Sequence, residues 1–306
     1  MQDSLRKSLA LVRSMASSDG YHVTPLSYVS IYRTTSKTVQ MPTDNTPYLF
    51  VVLDGSMHLY TPSGILDYVA GQYSVSSIDT PSKGSVFAFS ENQDFYAVAI
   101  SFGLNEIHEV MMEIDGALAK QILDDAVPSK MMEQADQHVM DAVYKLLSNL
   151  DNSIQREFMG QHIKREMIFQ LLCGSGGKHF LQSIVQIRQS GEIYELNSWI
   201  KGNYRQSFSV DELAEKWHMS VPALHQKFKS VVGMGLLQCQ KRLRLTEAKR
   251  LMLDDNKNVT EAALEVGYES ISQFTREYKK MFGKTPKEDT LWLRDSMKDQ
   301  AIFSKK

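Results

Sequence analysis

From about Tyr21 to Phe102 the pattern of apolar and polar positions is that of β-strands. The runs YVSIYRTTSKTV, YLFVVLDGSMHLYT, GILDYVAGQYSVSS, GSVFAFS and DFYAVAISF are short and rich in β-branched and aromatic residues. Turn-forming stretches separate them: MPTDNTP, LDGS, TPSG, AGQ, TPSKG and SENQD. Strands this short and this evenly spaced predict an antiparallel sandwich or barrel. Ahead of them, MQDSLRKSLALVRSM predicts a short amphipathic helix with Leu5, Leu9 and Val12 on one side.

From Gly103 the period lengthens to three and four. LNEIHEVMMEI and MEQADQHVMDAVYKLLSNL read as helices, the second with a stripe of Val139, Val143, Leu146, Leu147 and Leu150. IQREFMGQHIKREMIFQLLCG follows, with Phe158, Ile163, Met167, Ile168, Leu171 and Leu172 as its apolar set, and stops at GSGG. KHFLQSIVQIRQS and EIYELNSWIKGNY complete a helical middle. One side of these helices is expected to cover the sheet and another to pair with a second copy of the chain.

The final third contains an internal repeat. VDELAEKWHMS from Val210 aligns with VTEAALEVGYE from Val259 at an offset of 49, and SVPALHQKFKSVVG from Ser220 aligns with SISQFTREYKKMFG from Ser270 at an offset of 50. The extra residue falls in the turn, where insertions are best tolerated. Each copy reads as helix, tight turn, helix. Ser209 and Asn258 are placed to cap the first helices, Ser220 and Ser270 the second, and Gly233 and Gly283 to end them. Gly267 permits a sharp turn in copy two. His218 holds the matching place in copy one, where a turn of different shape is expected. Between the copies, GLLQCQKRLRLTEAKRLMLDD predicts one helix of about 19 residues, roughly 28 Å long.

Burying Leu224 and Phe228 in copy one leaves Pro222, His225, Gln226 and Lys229 outward. In copy two, burying Phe274 and Tyr278 with Phe282 leaves Ser272, Gln273, Thr275, Arg276 and Lys279 outward. Arginine bonds guanine bidentately and glutamine reads adenine; serine, threonine and lysine suit phosphates as well. Each face taken alone would also suit an ordinary solvated helix. The duplication favours a nucleic-acid role for both.

Charge sharpens the picture. Net charge is −2, yet Lys201–Lys287 holds 16 Lys+Arg against 10 Asp+Glu, and the remainder 18 against 26. A basic final third on an acidic protein fits a local polyanion-binding module. Lys241, Arg242, Arg244, Lys249 and Arg250 on the connecting helix, with Ser220, Lys229, Ser270 and Lys279, form the candidate phosphate-contacting set. Two cysteines, Cys173 and Cys239, lie far apart in contexts unlike metal sites, which suggests a reducing, cytoplasmic setting. No run approaches the length of a membrane span, and the charged N-terminus does not read as a secretory signal.

These stretches resemble the AraC/XylS family of bacterial transcription regulators. The resemblance rests on VDELAEKWHMSVPALHQKFKSVVGM, KRLRLTEAKRLML and VTEAALEVGYESISQFTREYKKMFGKTPKED, and covers roughly residues 195–290. It implies two helix-turn-helix subdomains in successive major-groove segments. It places base contacts on Pro222, His225 and Gln226, and on Ser272, Gln273, Thr275 and Arg276. Copy one departs from the family pattern at Pro222 and Gln226, where larger or basic side chains are common. The N-terminal part is similar to the cupin-like companion domain of one branch of the family. That implies a small-molecule effector pocket inside a β-barrel and dimerisation through nearby helices.

The expected fold class is therefore α+β: a cupin-like barrel (about 21–102) with helices (about 103–185), together an effector-binding and dimerisation domain of residues 1–185. An all-α DNA-binding domain (193–290) follows, with helix-turn-helix units at about 210–233 and 259–283 around a linker helix at about 235–253. Strand alternation nominates Tyr32, Phe50, Tyr60 and Tyr73 for the effector pocket, with Arg33 as an anion partner; core aromatics and a surface charge are the plainer reading. Expected partners are double-stranded DNA, an effector, a second copy of the chain and RNA polymerase, with no membrane. Neither a cofactor nor a metal is expected, because His58 and His22 are the only strand histidines and no phosphate loop or nucleophile elbow appears. The competing function is a metal-dependent cupin-like enzyme with a helical appendage; a third is a protein-interaction adaptor using the helical middle.

Overall fold

The computed structural model describes residues 2–42, 46–61, 64–75, 83–89, 94–114, 133–174, 176–178, 180–181, 184 and 191–303. Several expected features fall largely outside them: parts of the MPTDNTP, TPSG, TPSKG and SENQD turns, and most of the KHFLQSIVQIRQS helix. The chain forms two compact units, Met1–His58 with Asp67–Gly191, and Leu59–Leu66 with Glu192–Lys306.

Among the described residues, the N-terminal segment begins with helix α1 (Gln2–Met15) and nine strands: β1 (Gly20–Val23), β2 (Val29–Thr34), β3 (Thr38–Gln40), β4 (Tyr48–Asp54), β5 (Ser56–Thr61), β6 (Gly64–Val69), β7 (Gln72–Val75), β8 (Lys83–Ala88) and β9 (Phe95–Ser101). Helix α2 (Leu104–Glu113), the short strand β10 (Glu133–Gln134), α3 (Gln137–Ser148) and α4 (Ser153–Cys173) follow. A six-stranded sheet runs β1-β2-β9-β4-β7-β10 and a four-stranded sheet β3-β8-β5-β6. The antiparallel two-sheet architecture expected from the short, evenly spaced runs is thus present.

Register decides what each face of the larger sheet does. Phe50 pairs with Ser74 and Ala99, and Tyr32 with Ala97. These residues share one face, where the Tyr32 and Phe50 rings meet edge-on with centroids 5.6 Å apart. Their alternates Ile31, Val51, Tyr73, Val98 and Ile100 occupy the other face. There they form one core with Val12, Ile107, Val139, Val143, Leu146, Met167, Ile168 and Leu171 from the helices. Leu5 and Leu9 of α1 pack at its edge. Phe158 does not join the expected apolar set. It lies five residues before Ile163, off the buried stripe, and is 68% exposed.

The remainder is helical: α5 (Gly191–Asn203), α6 (Val210–Lys216), α7 (Val221–Val232), α8 (Leu236–Leu253), α9 (Val259–Glu265), α10 (Ile271–Phe282) and α11 (Pro286–Phe303). The linker helix α8 has 18 residues and spans about 27 Å. Ala262, Ala263, Val266, Phe274 and Tyr278 bury against Leu245, Ala248, Leu251 and Met252 of α8. Each buried ring contributes roughly 1.5–3 kcal/mol relative to exposure.

Candidate nucleic-acid interface

Both helix pairs are set by their caps. Ser209 and Asn258 accept hydrogen bonds from the Glu212 and Glu261 amides, and each glutamate carboxylate accepts in turn from the cap residue's own amide. Ser220 and Ser270 likewise accept from the Ala223 and Gln273 amides, starting α7 and α10. Gly233 and Gly283 end those helices in the left-handed region, with φ of 77° and 81°.

The two tight turns have the same backbone form, contrary to expectation. His218 stands at φ 52° and Gly267 at φ 90°. In copy one the His218 amide donates to the Glu215 carbonyl and the Met219 amide to Ala214; in copy two Gly267 donates to Leu264 and Tyr268 to Ala263. The hydrogen-bonded frame forces the left-handed conformation whichever residue is present, and histidine bears its steric cost.

Leu224 and Phe228 on α7, and Phe274 and Tyr278 on α10, are fully buried. Pro222, His225, Gln226 and Lys229 are exposed on α7; Ser272, Gln273, Arg276 and Lys279 are exposed on α10, with Thr275 half-buried. Ser220 and Ser270 are exposed at the helix starts. The candidate base-reading residues thus sit on the N-terminal halves of α7 and α10, the part of a recognition helix that meets base edges.

The connecting helix α8 corrects part of the phosphate set. Arg244 donates to the Tyr204, Arg205, Gln206 and Gly267 carbonyls, tying the chain after α5 to the turn of copy two. Burial lowers its pKa. Arg250 is buried and bridges Glu247 and Asp255. Lys249 pairs with Asp289 at 3.0 Å and lies over the Phe282 ring. These three cations are engaged within the protein: Lys249 joins α8 to α11, Arg244 ties a loop to a turn, and Arg250 braces the end of α8. Lys241 is half-exposed and pairs with Glu277 at 2.8 Å. Arg242 is half-buried.

Glu277 itself was not legible as a site residue. It accepts from Lys241, from the Tyr268 hydroxyl at 2.8 Å and from Gln273 Nε2 at 3.4 Å. Burial opposes its ionisation, but those hydrogen bonds outweigh it and hold its pKa below the usual carboxylate value. The available signal was its position four residues after Gln273, one helical turn on.

Two of the five effector candidates, Tyr32 and Phe50, share the sheet face opposite the helices. Buried Ser74 lies on the same face, and the fully buried Tyr68 brings its hydroxyl toward it. Tyr73 instead faces the helices as part of their core. Arg33 alternates with Tyr32, so it shares the opposite face with Tyr73, and it pairs with Asp94 at 3.1 Å. Tyr60 uses its hydroxyl on Asp254, 2.8 Å away within the second compact unit. Tyr73 and Arg33 thus lie on the opposite face from Tyr32 and Phe50, and Tyr60 is engaged by Asp254. His58 meets Asp67 at 2.7 Å and stacks on Phe87. Among the described residues, no group of three His, Cys, Asp or Glu side chains converges as a metal site would require, and no helix is long and apolar enough to cross a membrane.

A family model described as the AraC-type transcriptional regulator N-terminus matches residues 25–179, half of the chain, and a helix-turn-helix domain model matches residues 213–290. The chain belongs to the AraC family of transcriptional regulators. Among curated relatives, it is 24% identical to the HTH-type transcriptional activator RhaS of Escherichia fergusonii over 154 residues, 50% of this chain and 55% of that protein. It is 29% identical to RhaS of Pectobacterium carotovorum over 119 residues, 35% of this chain and 43% of that one. The chain thus spans about half the length of the curated relatives it matches, or less. Of solved structures, ToxT of Vibrio cholerae with an unsaturated fatty acid bound superposes with a TM-score of 0.44 at 12% identity, covering 86% of this chain and 94% of that one.

Proposed function

We propose that this AraC-family chain is a sequence-specific DNA-binding transcription regulator controlled by a small-molecule effector. One observation carries the reading. Two capped helix-turn-helix units, packed on one linker helix, expose polar residues at the N-terminal halves of their second helices. Base reading is assigned to Pro222, His225 and Gln226 on α7, and to Ser272, Gln273, Thr275 and Arg276 on α10. Ser220, Lys229, Ser270 and Lys279 take the phosphates. The effector is assigned to the aromatic and hydroxyl-bearing inner face around Tyr32, Phe50, Tyr68 and Ser74, and shifts the population of the DNA-binding arrangement.

A homodimer is part of the proposal. Helix α4 covers the sheet with one side and presents Ile154 and Phe158 to solvent with the other, 79% and 68% exposed. Large apolar side chains one helical turn apart suit a second copy of the same helix. RNA polymerase is the machinery on which such a dimer acts.

The test is a gel shift of purified protein on genomic fragments, with and without the small-molecule fraction of a cell extract. The expected result is selective retention of a few fragments. Uniform retention or none, under both conditions, sinks the proposal.

A further inference from the structure

Gln273 is the third residue of α10, exposed on the proposed base-reading face. Its Nε2 points to Glu277, one turn further on. Glu277 is not mobile surface charge, since Lys241 of α8 and the Tyr268 hydroxyl hold its two oxygens and its side chain is 13% exposed. A carboxylate only accepts hydrogen bonds. It therefore attracts the amide nitrogen of Gln273 and repels the amide oxygen.

We infer that Glu277 is a positioning residue that fixes which way the Gln273 amide faces, and so sets its base preference. The inference rests on the reading of α10 as a recognition helix. An amide nitrogen carries two hydrogens. With the one trans to Oε1 directed at Glu277, Oε1 and the second N–H stand side by side on the outward edge. That edge complements adenine, which offers N6–H as donor and N7 as acceptor. Guanine offers two acceptors, O6 and N7, and is mismatched by Oε1. The flipped amide would place Oε1 against the carboxylate, so the anchored charge enforces the adenine-reading orientation.

Selection of a randomised duplex library by the full chain tests this, with the small-molecule fraction of a cell extract present throughout. Wild type is expected to enrich adenine at one position, and Gln273→Met to lose the preference there alone. Glu277→Gln offers a neutral amide that tolerates either orientation. It is expected to cut the adenine-over-guanine ratio at that position by at least about fivefold while neighbouring positions keep theirs. Glu277→Asp, which keeps the charge but withdraws it, gives the same readout should the first variant fold poorly. In the Gln273→Met background, Glu277→Gln should change nothing further at that position. If Gln273→Met erases a preference and both Glu277 variants leave it intact, or weaken every position equally, the orienting role is wrong while base reading stands. If Gln273→Met alters no position, or nothing is enriched, base reading by α10 fails and the orienting role with it.

Discussion

Gly267 lies so close to the Arg205 carbonyl that a methyl group at position 267 would overlap its oxygen. The same glycine gives its own carbonyl to Arg244, which also binds the Arg205 carbonyl. The turn of the second helix-turn-helix is thus pinned to the segment after α5 by a close backbone approach and by one guanidinium. Gly267→Ala combines a steric clash with backbone strain at φ 90°. It is expected to destabilise the unit by about 2–4 kcal/mol. Gly233→Ala meets no atom within 4 Å and keeps only the strain at φ 77°, for a loss of about 1 kcal/mol. Denaturant unfolding of both variants checks the contrast, and equal losses would show that the Arg205 contact is unimportant.

His218 is the counterpart of Gly267 and bears the left-handed conformation without glycine's freedom. His218→Gly is expected to stabilise the protein by up to about 1 kcal/mol, the relieved strain being partly offset by the entropy of an unfolded glycine. A lower thermal midpoint for this variant would mean that the histidine side chain makes a contribution larger than the strain.

Arg276 and Lys279 share the exposed face of α10 but have different proposed tasks. Arg276→Ala should weaken binding to a selected site by about 1–3 kcal/mol and random DNA much less. Lys279→Ala should weaken both alike and reduce the salt slope by about 1. Titrations at several salt concentrations separate the two; identical profiles would remove the distinction between base and phosphate contact.

Tyrosine ionisation offers a pH test. Burial, with Glu106 adding to it, pushes the Tyr28 phenol up to about 12. Burial likewise raises Tyr68, Tyr268 and Tyr278, with Glu277 and Asp289 adding to the last two. A group whose pKa is raised on folding gives stability that is complete below its unfolded value near 10 and is lost as pH climbs through the folded value. Folding stability should therefore fall between about pH 10 and 12. Phenolate absorbance should show a late set that ionises together with unfolding. Smooth titration of every tyrosine near pH 10 would contradict this burial.

Phe158→Glu places a charge on the outward side of α4 without touching the core beneath. If that side joins two copies, sedimentation equilibrium should show a monomer whose thermal midpoint at low protein concentration is unchanged. A variant that remains dimeric would move the interface elsewhere.

The sequence by itself determined whatever depends on neighbours along the chain. The capping serines 209, 220 and 270 with Asn258, the closing glycines 233 and 283, and the burial of Leu224, Phe228, Phe274 and Tyr278 all follow from helical period and local hydrogen-bond chemistry. Membership of the family was legible for the same reason, since its signature is a local pattern repeated once. Only the tertiary structure decided which face a strand residue presents and which carbonyl or carboxylate a cation meets. Tyr32 and Tyr73 read alike in one dimension, yet the sheet register turns one toward the helices and the other to the opposite face. Arg244, Lys249 and Arg250 read as phosphate ligands until α8 proved to be the packed axis of its unit, where desolvated cations must find partners within the protein.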